Sequence, residues 1–345
     1  MKVLLLAPSF YTLASTIQKG FTKIGFQVFH YDYRHETSSL KNKINVQIFR
    51  LPYSFRRIWE VFYMDAINKK HKEIFERQQP NIVFIYNNEM LLPETIQYFK
   101  TKAKIIFIMG DNPYYTPTND YYLHLLFYAD LIISPDSFWA EQLKLLGLKN
   151  VVVDFPGYDE EPYKNITVTM KDRQTYNFDI LFVGTGYTNA WGYKRALFLN
   201  HFTQFNFKLY GGRHFVKWFR FFPDLEKKFE LKKGHVPLEE LVKMHRCAKL
   251  YPVDANPAIL NGLHLRVFDC IAMGVLPLVE YRKDHELFFK NESPPLIKNY
   301  YEINNITSEL LKNDDLRERR LSVLREFCQK EFSAHISLKR ILEKL

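Results

Sequence analysis

The chain has 345 residues, of which 47% are hydrophobic and 25% are charged, a composition typical of globular domains rather than of disordered, collagen-like or coiled-coil chains. No apolar run approaches the ~20 residues that a membrane-spanning helix requires, and the opening apolar run is too short for a signal peptide. The three cysteines are odd in number and form no Cys-x-x-Cys pair. This pattern argues against a disulfide framework and a cysteine zinc site, and it predicts a reducing, cytoplasmic setting.

Positive charge is concentrated in the second half of the sequence. The chain carries a formal net charge of +10 at pH 7. Residues 1–160 hold 18 Lys and Arg against 16 Asp and Glu, whereas residues 161–345 hold 30 against 22. A basic second half suits an anionic ligand such as a diphosphate, and it would equally suit nucleic acid or anionic lipid.

The first half alternates short apolar runs with helix-period segments. Continuous runs rich in Val, Ile, Phe and Tyr fit strands that are covered on both faces, as in a parallel sheet. We predict strands over residues 3–7, 26–31, 82–86, 105–109, 131–134 and 151–154. Apolar residues recur every three or four positions from Phe55 to Phe75, which predicts a long helix. The strand–helix–strand repetition predicts an open, doubly wound α/β domain.

The alternation breaks near Pro156-Gly157 and then restarts. We predict further strands over 180–183, 207–210, 250–253 and 275–279, with helices from about Gly192, over 238–248 and over 265–273. The predicted fold class is therefore α/β, with two doubly wound, Rossmann-like domains facing a central cleft. The boundaries are residues 1–160 for the first domain, 161–177 for a polar linker, 178–325 for the second domain and 326–345 for a C-terminal helix that could return to the first domain. Ligands of such sheets bind beyond the carboxyl ends of the strands, so the loops after strands are the candidates.

A glycine-containing loop follows the first strand of the second domain. Gly184-Thr185-Gly186 is succeeded by a helix that carries Lys194 and Arg195. Glycines let a backbone approach a phosphate, and a helix N-terminus favours anions. The third glycine of the dinucleotide fingerprint is missing, because position 189 is Asn189, and a simple strand–helix turn is an equal alternative.

The next strand is followed by a second loop of this kind, Gly211-Gly212-Arg213. It brings another guanidinium to the same edge of the predicted sheet. Arg213 is either a bidentate clamp for a diphosphate or a solvated side chain.

The segment from Asn261 to Gly274 is the most informative. Its apolar positions form one face of a helix, while Asn261, Arg266 and Asp269 fall elsewhere. A helix that starts near residues 262–264 would aim its amides at the cleft, with Arg266 nearby for a phosphate. Asp269, one to two turns in, could accept hydrogen bonds from a ribose diol. An amphipathic helix with surface charges, stopped by Gly274, is the structural alternative.

The run from Arg266 to Gly274, R-V-F-D-C-I-A-M-G, resembles the R-x-F-E-x-x-A-x-G signature of CgeB-like glycosyltransferases, a family with the GT-B fold. Other stretches agree with that family in order and spacing. They are 180–184, 209–212, 234–241, the M-G-D-N-P loop at 109–113, 284–289 and Arg340. The resemblance covers nearly the whole chain and implies a GT-B architecture.

The resemblance also implies a reaction. A sugar would move from a nucleotide-sugar donor held by the second domain to an acceptor hydroxyl held by the first. Asp269 takes the position of the glutamate that binds the donor ribose, and Val236 sits where backbone groups meet the base. In related retaining enzymes a second glutamate lies eight positions earlier. Here that position is Asn261, so retention and inversion both stay open.

The implied donor is a UDP- or GDP-linked sugar, and no other cofactor is expected. The implied role is cell-surface glycan or glycolipid assembly, with a saccharide or a lipid-linked acceptor. The protein would then act in the cytoplasm, at the inner face of the membrane where the acceptor is a lipid.

An inverting reaction needs a general base within hydrogen-bond reach of the acceptor hydroxyl. Asp111 follows the strand at 105–109, and Glu89 follows the strand at 82–86, so both would project from the first domain towards the cleft. We prefer Asp111, because Gly110 and Pro113 shape its loop. A turn or capping role for Asp111 and a solvated loop position for Glu89 are the structural alternatives.

No metal site is expected, because no pair of carboxylates has the D-x-D spacing that would hold a metal beneath a diphosphate. Arg195, Arg213 and Arg266 would stabilise the leaving diphosphate instead. His264 could contribute when protonated, although a structural histidine is the alternative.

Residues 213–222 combine six apolar side chains with three cations and a histidine. The stretch is either a hydrophobic helix docked on its domain or a peripheral membrane contact, to which Arg56-Arg57 beside Trp59 could add.

Two further functions are alternatives. The same fold could epimerise the sugar of a nucleotide-sugar, or it could bind a donor without catalysis. The pI of about 9.2 also suits a nucleic-acid-binding protein. We expect no nucleic acid as partner, because most aromatic residues fall in strands or on helix faces rather than among exposed cations.

Overall fold

The computed structural model describes residues 1–9, 12–36, 38–49, 51–87, 89–114, 121–232 and 234–345. The chain divides into two compact units, each built on a six-stranded sheet. The first unit combines Met1–Gly157 with Ser333–Leu345, and the second is Tyr158–Phe332. The predicted α/β class with two doubly wound domains is confirmed. Among the described helices, none has both the length and the apolar character needed to cross a membrane.

Strands β1 to β6 of the first unit are Lys2–Leu6, Gln27–Tyr31, Ile82–Tyr86, Lys104–Ile108, Leu131–Ser134 and Val151–Val153. They pair in parallel in the order β2-β1-β3-β4-β5-β6. Most residues of β1, β3 and β4 are fully buried, which explains why their apolar runs are continuous rather than alternating. Helices α1 to α6 are Thr12–Lys23, Ser39–Ile48, Tyr53–Gln78, Pro93–Lys100, Tyr122–Leu126 and Ser137–Leu145, with a 3-10 helix at Tyr33–Glu36.

Strands β7 to β12 of the second unit are Ile180–Gly184, Phe207–Gly211, Phe229–Leu231, Leu250–Val253, Leu276–Glu280 and Leu296–Ile297. They pair in parallel in the order β12-β11-β10-β7-β8-β9. Helices α7 to α15 are Met170–Thr175, Ala190–Asn200, Val216–Phe219, Pro223–Lys228, Leu238–Cys247, Arg266–Met273, Asp284–Phe289, Ile303–Lys312 and Asp314–Glu331. Short 3-10 helices lie at Glu161–Tyr163, Arg213–Phe215 and Tyr300–Glu302. Strands β9 and β12 lie outside the predicted strands, because β12 has only two residues and β9 is mostly exposed with Glu230 at its centre.

The segment predicted as a linker, residues 161–177, is part of the second unit. It contains α7, whose start is closed by a capping box between Thr169 and Asp172. Arg246 on α11 donates to the Tyr163 carbonyl at 2.8 Å and also to the Ile166 carbonyl. The segment is therefore folded onto its own unit rather than extended.

The C-terminal residues return to the first unit as helix α16, Ala334–Leu342, which packs on α1. Gly20 permits this approach, because a Cβ at that position would lie 2.8 Å from the Ala334 Cβ. Arg340 donates from Nε and Nη2 to the two carboxylate oxygens of Asp154, at 2.8 and 2.7 Å. This bidentate pair fixes α16 to the end of β6.

A buried ion pair lies inside the second unit. Arg195 on α8 and Asp254 after β10 are each 1% exposed, and Arg195 Nε lies 2.9 Å from Asp254 Oδ2. Arg195 Nη1 also donates to the Thr185 carbonyl at 2.6 Å. Burial raises the pKa of Asp254, but Arg195 outweighs it and the pKa falls to about 2. Arg195 was a predicted contact of the leaving diphosphate. In the structure, the guanidinium of Arg195 instead connects α8 to Asp254 and to the loop after β7.

Replacing Arg195 should therefore destabilise the protein. We expect Arg195→Met to lower the free energy of unfolding by about 3–5 kcal/mol, because the Asp254 carboxylate would be left charged and buried. Urea titration followed by circular dichroism measures the change. Arg213→Met, at an exposed position, is the matched control and should change stability by no more than about 0.5 kcal/mol. A loss below about 1 kcal/mol for Arg195→Met would contradict this role.

Candidate functional site

A cavity of about 350 Å³ lies at the carboxyl edge of the second sheet, where β7 and β8 end and α12 begins. Five of the predicted donor residues line it: Gly184, Thr185, Val236, Arg266 and Asp269. Its described lining omits the other five: Gly186, Arg195, Arg213, Asn261 and His264. The cavity thus brings together the loop after β7, the segment before α11 and the first turn of α12.

Close packing accounts for several glycines around the cavity. A Cβ on Gly186 would lie 2.6 Å from the Phe215 amide nitrogen, and a Cβ on Gly211 would lie 2.6 Å from the Phe215 ring. These two glycines let the ends of β7 and β8 pack on the turn that carries Phe215. Gly212 differs, because a Cβ there would meet no atom within 4 Å. Its lack of a side chain leaves room in the cavity instead.

Arg266, the first residue of α12, supplies a cation to the cavity. Its Nη1 lies 4.0 Å from Asp254 Oδ1, and its guanidinium lies 5.1 Å from the centre of the Phe182 ring. Asp254 Oδ1 is buried and accepts no hydrogen bond from any residue the structure describes. The side chain of Arg266 is 22% exposed. Its guanidinium therefore contacts Asp254 and Phe182 and also lines the cavity.

Asp269 lies one turn after Arg266 and lines the same cavity. Burial raises its pKa to about 6, although Arg266 and a hydrogen bond with Tyr163 oppose the rise. At neutral pH the carboxylate is ionised and can accept hydrogen bonds. Arg266 and Asp269, which the sequence predicts away from the apolar face of α12, both line the cavity.

His264 has a structural role. The backbone N–H of Arg266 donates to His264 Nδ1 at 3.1 Å, so the imidazole caps the start of α12. Burial and the charge of Arg266 lower its pKa to about 3. The imidazole of His264 is therefore neutral at neutral pH and does not supply a positive charge for a phosphate.

Arg213 and Asn261 are also not among the residues that line the cavity. Arg213 is exposed at the start of a 3-10 helix. The carbonyl of Asn261 accepts from the Asp284 amide at 2.8 Å, which ties the segment before α12 to the start of α13.

Lys232 and Tyr251 are two of the cavity-wall residues that were not predicted. Lys232, after β9, lies 3.2 Å from Glu240 Oε1 and 5.1 Å from the centre of the Tyr210 ring. Tyr251 on β10 lies beneath the loop, where its hydroxyl donates to the Val183 carbonyl at 2.7 Å and accepts from the Val183 amide at 3.0 Å. Neither leaves a motif, since Lys232 follows an unpredicted strand and Tyr251 resembles any apolar strand residue.

In the first unit, Glu89 is engaged in an internal ion pair. Its two carboxylate oxygens accept from Arg34 at 3.0 and 3.2 Å, and Arg34 also donates to Asp32 at 2.9 Å. Glu89 is 3% exposed and has a φ of 41°, a left-handed conformation that is uncommon outside glycine. Burial raises its pKa, and Arg34 opposes that rise. A solvated loop position for Glu89 is therefore wrong, and its carboxylate is committed to Arg34.

Asp111 is in a different environment. It is exposed, and its Oδ2 accepts from Asn87 Nδ2 at 3.0 Å. Asn87 Oδ1 in turn accepts from the Gly110 amide at 2.6 Å. Partial desolvation by neighbouring residues raises the pKa of the Asp111 carboxyl, and the hydrogen bond from Asn87 opposes the rise. Asn87 thus orients a carboxylate that remains open to solvent.

The stretch 213–222 is docked on the second unit. Phe215, Trp218, Phe219 and Phe222 are at most 7% exposed. Trp218 Nε1 donates to the Tyr187 carbonyl at 2.6 Å. Most of the aromatic side chains predicted to enter a membrane are therefore already buried in the protein, and Phe221 alone among the aromatic residues of the stretch is half exposed.

Among the residues whose placement is described, no group of three or more His, Cys, Asp or Glu side chains could hold a metal ion.

Comparison with known proteins gives one family match and a shared fold. Residues 194–343 match a family model described as glycosyl transferase-like. No curated protein sequence matches the chain.

Solved structures match along the whole chain at low identity. An E. coli trehalose-6-phosphate structure bound with UDP-2-fluoro glucose is 12% identical, covers 100% of this chain and 99% of its own, and has a TM-score of 0.63. Sucrose-phosphate synthase from Thermosynechococcus elongatus is 10% identical, covers 100% and 98%, and has a TM-score of 0.68. An alpha-glucosyltransferase in complex with UDP is 11% identical, covers 99% and 98%, and has a TM-score of 0.64.

The chain therefore has the two Rossmann-like domains of the GT-B fold, and residues 194–343 match the glycosyl transferase-like family model. These findings support a glycosyltransferase of the GT-B type, while the narrower resemblance to CgeB-like enzymes stays a prediction.

Proposed function

We propose that the protein transfers a sugar from a nucleoside-diphosphate sugar to an acceptor hydroxyl, in cell-surface glycan or glycolipid assembly. The observation that carries the proposal is the cavity of the second unit, where Arg266 and Asp269 face the loop after β7. A diphosphate needs cations and donors, and a ribose needs a hydrogen-bond acceptor. One cavity offers both kinds of group.

Arg266 is the residue we assign to the diphosphate. Its guanidinium is always charged, and it approaches Asp254 only to 4.0 Å, which leaves its donors available to a phosphate. Lys232 adds a second cation on the cavity wall. We propose that these two cations, rather than a metal ion, stabilise the charge that develops on the leaving diphosphate.

Asp269 is assigned to the ribose diol and Val236 to the base. An aspartate is one methylene shorter than the family's glutamate, so the ribose would lie closer to α12. The proposed donor is UDP-linked rather than GDP-linked, because two of the similar structures are complexes with UDP or a UDP-sugar.

Asp111 is the proposed general base for the acceptor hydroxyl. Its carboxylate is exposed and is oriented by Asn87, so it can come within hydrogen-bond distance of an acceptor hydroxyl. Glu89 is less suited, because Arg34 already occupies both of its oxygens.

Donor binding tests the assignment of Arg266. Arg266→Ala should weaken the binding of UDP by about tenfold or more, because a charge-assisted contact to the diphosphate is lost. Isothermal titration of UDP, GDP and other nucleoside diphosphates measures the effect. Arg213→Ala removes the same charge outside the cavity and should leave the affinity unchanged. Added EDTA should not reduce binding. Equal loss in both variants would contradict the assignment.

The affinity should also depend on pH through Asp269. With a pKa of about 6, the carboxylate is ionised at neutral pH and is progressively protonated as the pH falls below that value. The donor should therefore bind less tightly in acid, and Asp269→Asn should bind weakly without this pH dependence. An intact UDP-sugar is the ligand to use, because its diphosphate diester does not titrate in this range. A wild-type affinity that is constant through pH 6 would contradict the role.

Turnover tests Asp111. We expect Asp111→Asn to lower kcat by a factor on the order of 10² to 10⁴ while the affinity for UDP is unchanged. Nucleotide release with donor and acceptor measures kcat. Glu94→Gln, the same chemical change at an exposed position of the first unit, is the control. Wild-type turnover in Asp111→Asn would exclude it as the base.

A further inference from the structure

The outward face of helix α3 is apolar over its first three turns. Phe55, Ile58 and Phe62 are spaced so that they share one face of the helix, and they are 75%, 63% and 69% exposed. Exposed aromatic and branched side chains in a continuous row are uncommon on the surface of a protein and mark interaction sites.

The same face changes character further along the helix. Lys69 and Glu73 continue the row and are exposed, so the second part of α3 presents charged groups to water. The exposed face of α3 is therefore apolar only in part. The apolar row is confined to the end that adjoins α2.

The apolar end of α3 is firmly held on its other side. Trp59 Nε1 donates to Asn45 Oδ1 at 3.0 Å, and Arg56 Nη1 donates to the Phe49 carbonyl at 2.9 Å. Phe49 also packs edge-to-face against the Tyr63 ring, with 5.4 Å between ring centres. The exposed row therefore lies on a helix that is packed against its neighbour α2.

The exposed row belongs to a larger surface, which we call the α2–α3 surface. Its further exposed apolar residues, between 45% and 69% exposed, are Leu40, Ile44, Leu51, Tyr53 and Val61.

The sequence segment that includes this surface is strongly basic. Residues 39–62 contain five Lys and Arg and a single Glu, whereas the rest of residues 1–160 contains 13 Lys and Arg against 15 Asp and Glu. The net positive charge of the first half of the chain therefore lies entirely in this segment. Aromatic and branched side chains flanked by basic residues are the composition of helices that lie in the plane of a membrane surface.

We propose that the α2–α3 surface docks on an anionic lipid bilayer, with Phe55, Ile58 and Phe62 at the boundary of headgroups and acyl chains. A second copy of the chain suits the surface less well, because pairing would bring together two segments of net positive charge. The proposal does not depend on sugar transfer, since it concerns a surface remote in sequence from the residues assigned to the donor.

Vesicle co-sedimentation tests the proposal. The full chain should bind equimolar phosphatidylcholine–phosphatidylglycerol vesicles and bind phosphatidylcholine vesicles weakly. The triple variant Phe55→Ser, Ile58→Ser, Phe62→Ser should bind the anionic vesicles about tenfold or more weakly. The control triple variant Phe127→Ser, Leu145→Ser, Tyr301→Ser removes apolar side chains that are 51%, 78% and 88% exposed elsewhere and should bind like the wild type.

Tryptophan quenching gives a second readout that does not depend on the triple variant. Trp59 adjoins the row and is 38% exposed, so brominated anionic lipids should quench its fluorescence. The quenching should disappear in Trp59→Phe and persist in Trp191→Phe. The proposal is overturned if the wild type does not bind anionic vesicles, if both triple variants bind equally, or if quenching persists in Trp59→Phe. It is equally overturned if the α2–α3 variant abolishes a dimer seen by light scattering while vesicle binding is unchanged.

Discussion

The carboxylate of Asp254 lies between two guanidinium groups, and the candidate site depends on that arrangement. One oxygen pairs with the buried Arg195, which in turn holds the loop after β7 through the Thr185 carbonyl. The other oxygen faces Arg266 at 4.0 Å. Removing a carboxylate from water is costly unless cations compensate it. The pair therefore positions both the loop and the cation that surround the cavity.

This arrangement explains how Arg266 can be oriented towards the cavity without being neutralised by a close ion pair. Arg195 is the closer partner of Asp254, at 2.9 Å. Arg266, at 4.0 Å from the other oxygen, is attracted by the carboxylate but keeps its hydrogen-bond donors. An arginine prepared in this way loses little freedom when a phosphate arrives. The same logic separates the two carboxylates of the first unit. Both carboxylate oxygens of Glu89 accept hydrogen bonds from Arg34. Asp111 is instead oriented by the neutral Asn87, so its charge is not paired with a cation there.

The sequence predicts the fold well, because buried parallel strands leave continuous apolar runs. Ten strands follow from this signal. Of the two missed strands, β12 has only two residues, and β9 is mostly exposed with Glu230 at its centre, so neither forms an apolar run. The site is only half predictable. Arg195 and Arg266 both follow strands of one sheet, but Arg195 is drawn inside by Asp254, 59 positions away in sequence. Spacing along the chain carries no information about that pairing. Lys232 was missed for a similar reason, since it becomes a wall residue only through the short strand β9.

The central claim is that the cavity of the second unit binds a nucleoside diphosphate through Arg266 while Asp254 stays paired with Arg195. A crystal structure of the protein with a bound UDP-hexose tests it most directly. The account predicts phosphate oxygens within hydrogen-bond distance of the Arg266 guanidinium, the ribose on Asp269, and an unchanged bond between Arg195 and Asp254. A nucleotide bound elsewhere on the chain, or a diphosphate contacted by Arg213 instead of Arg266, would contradict it.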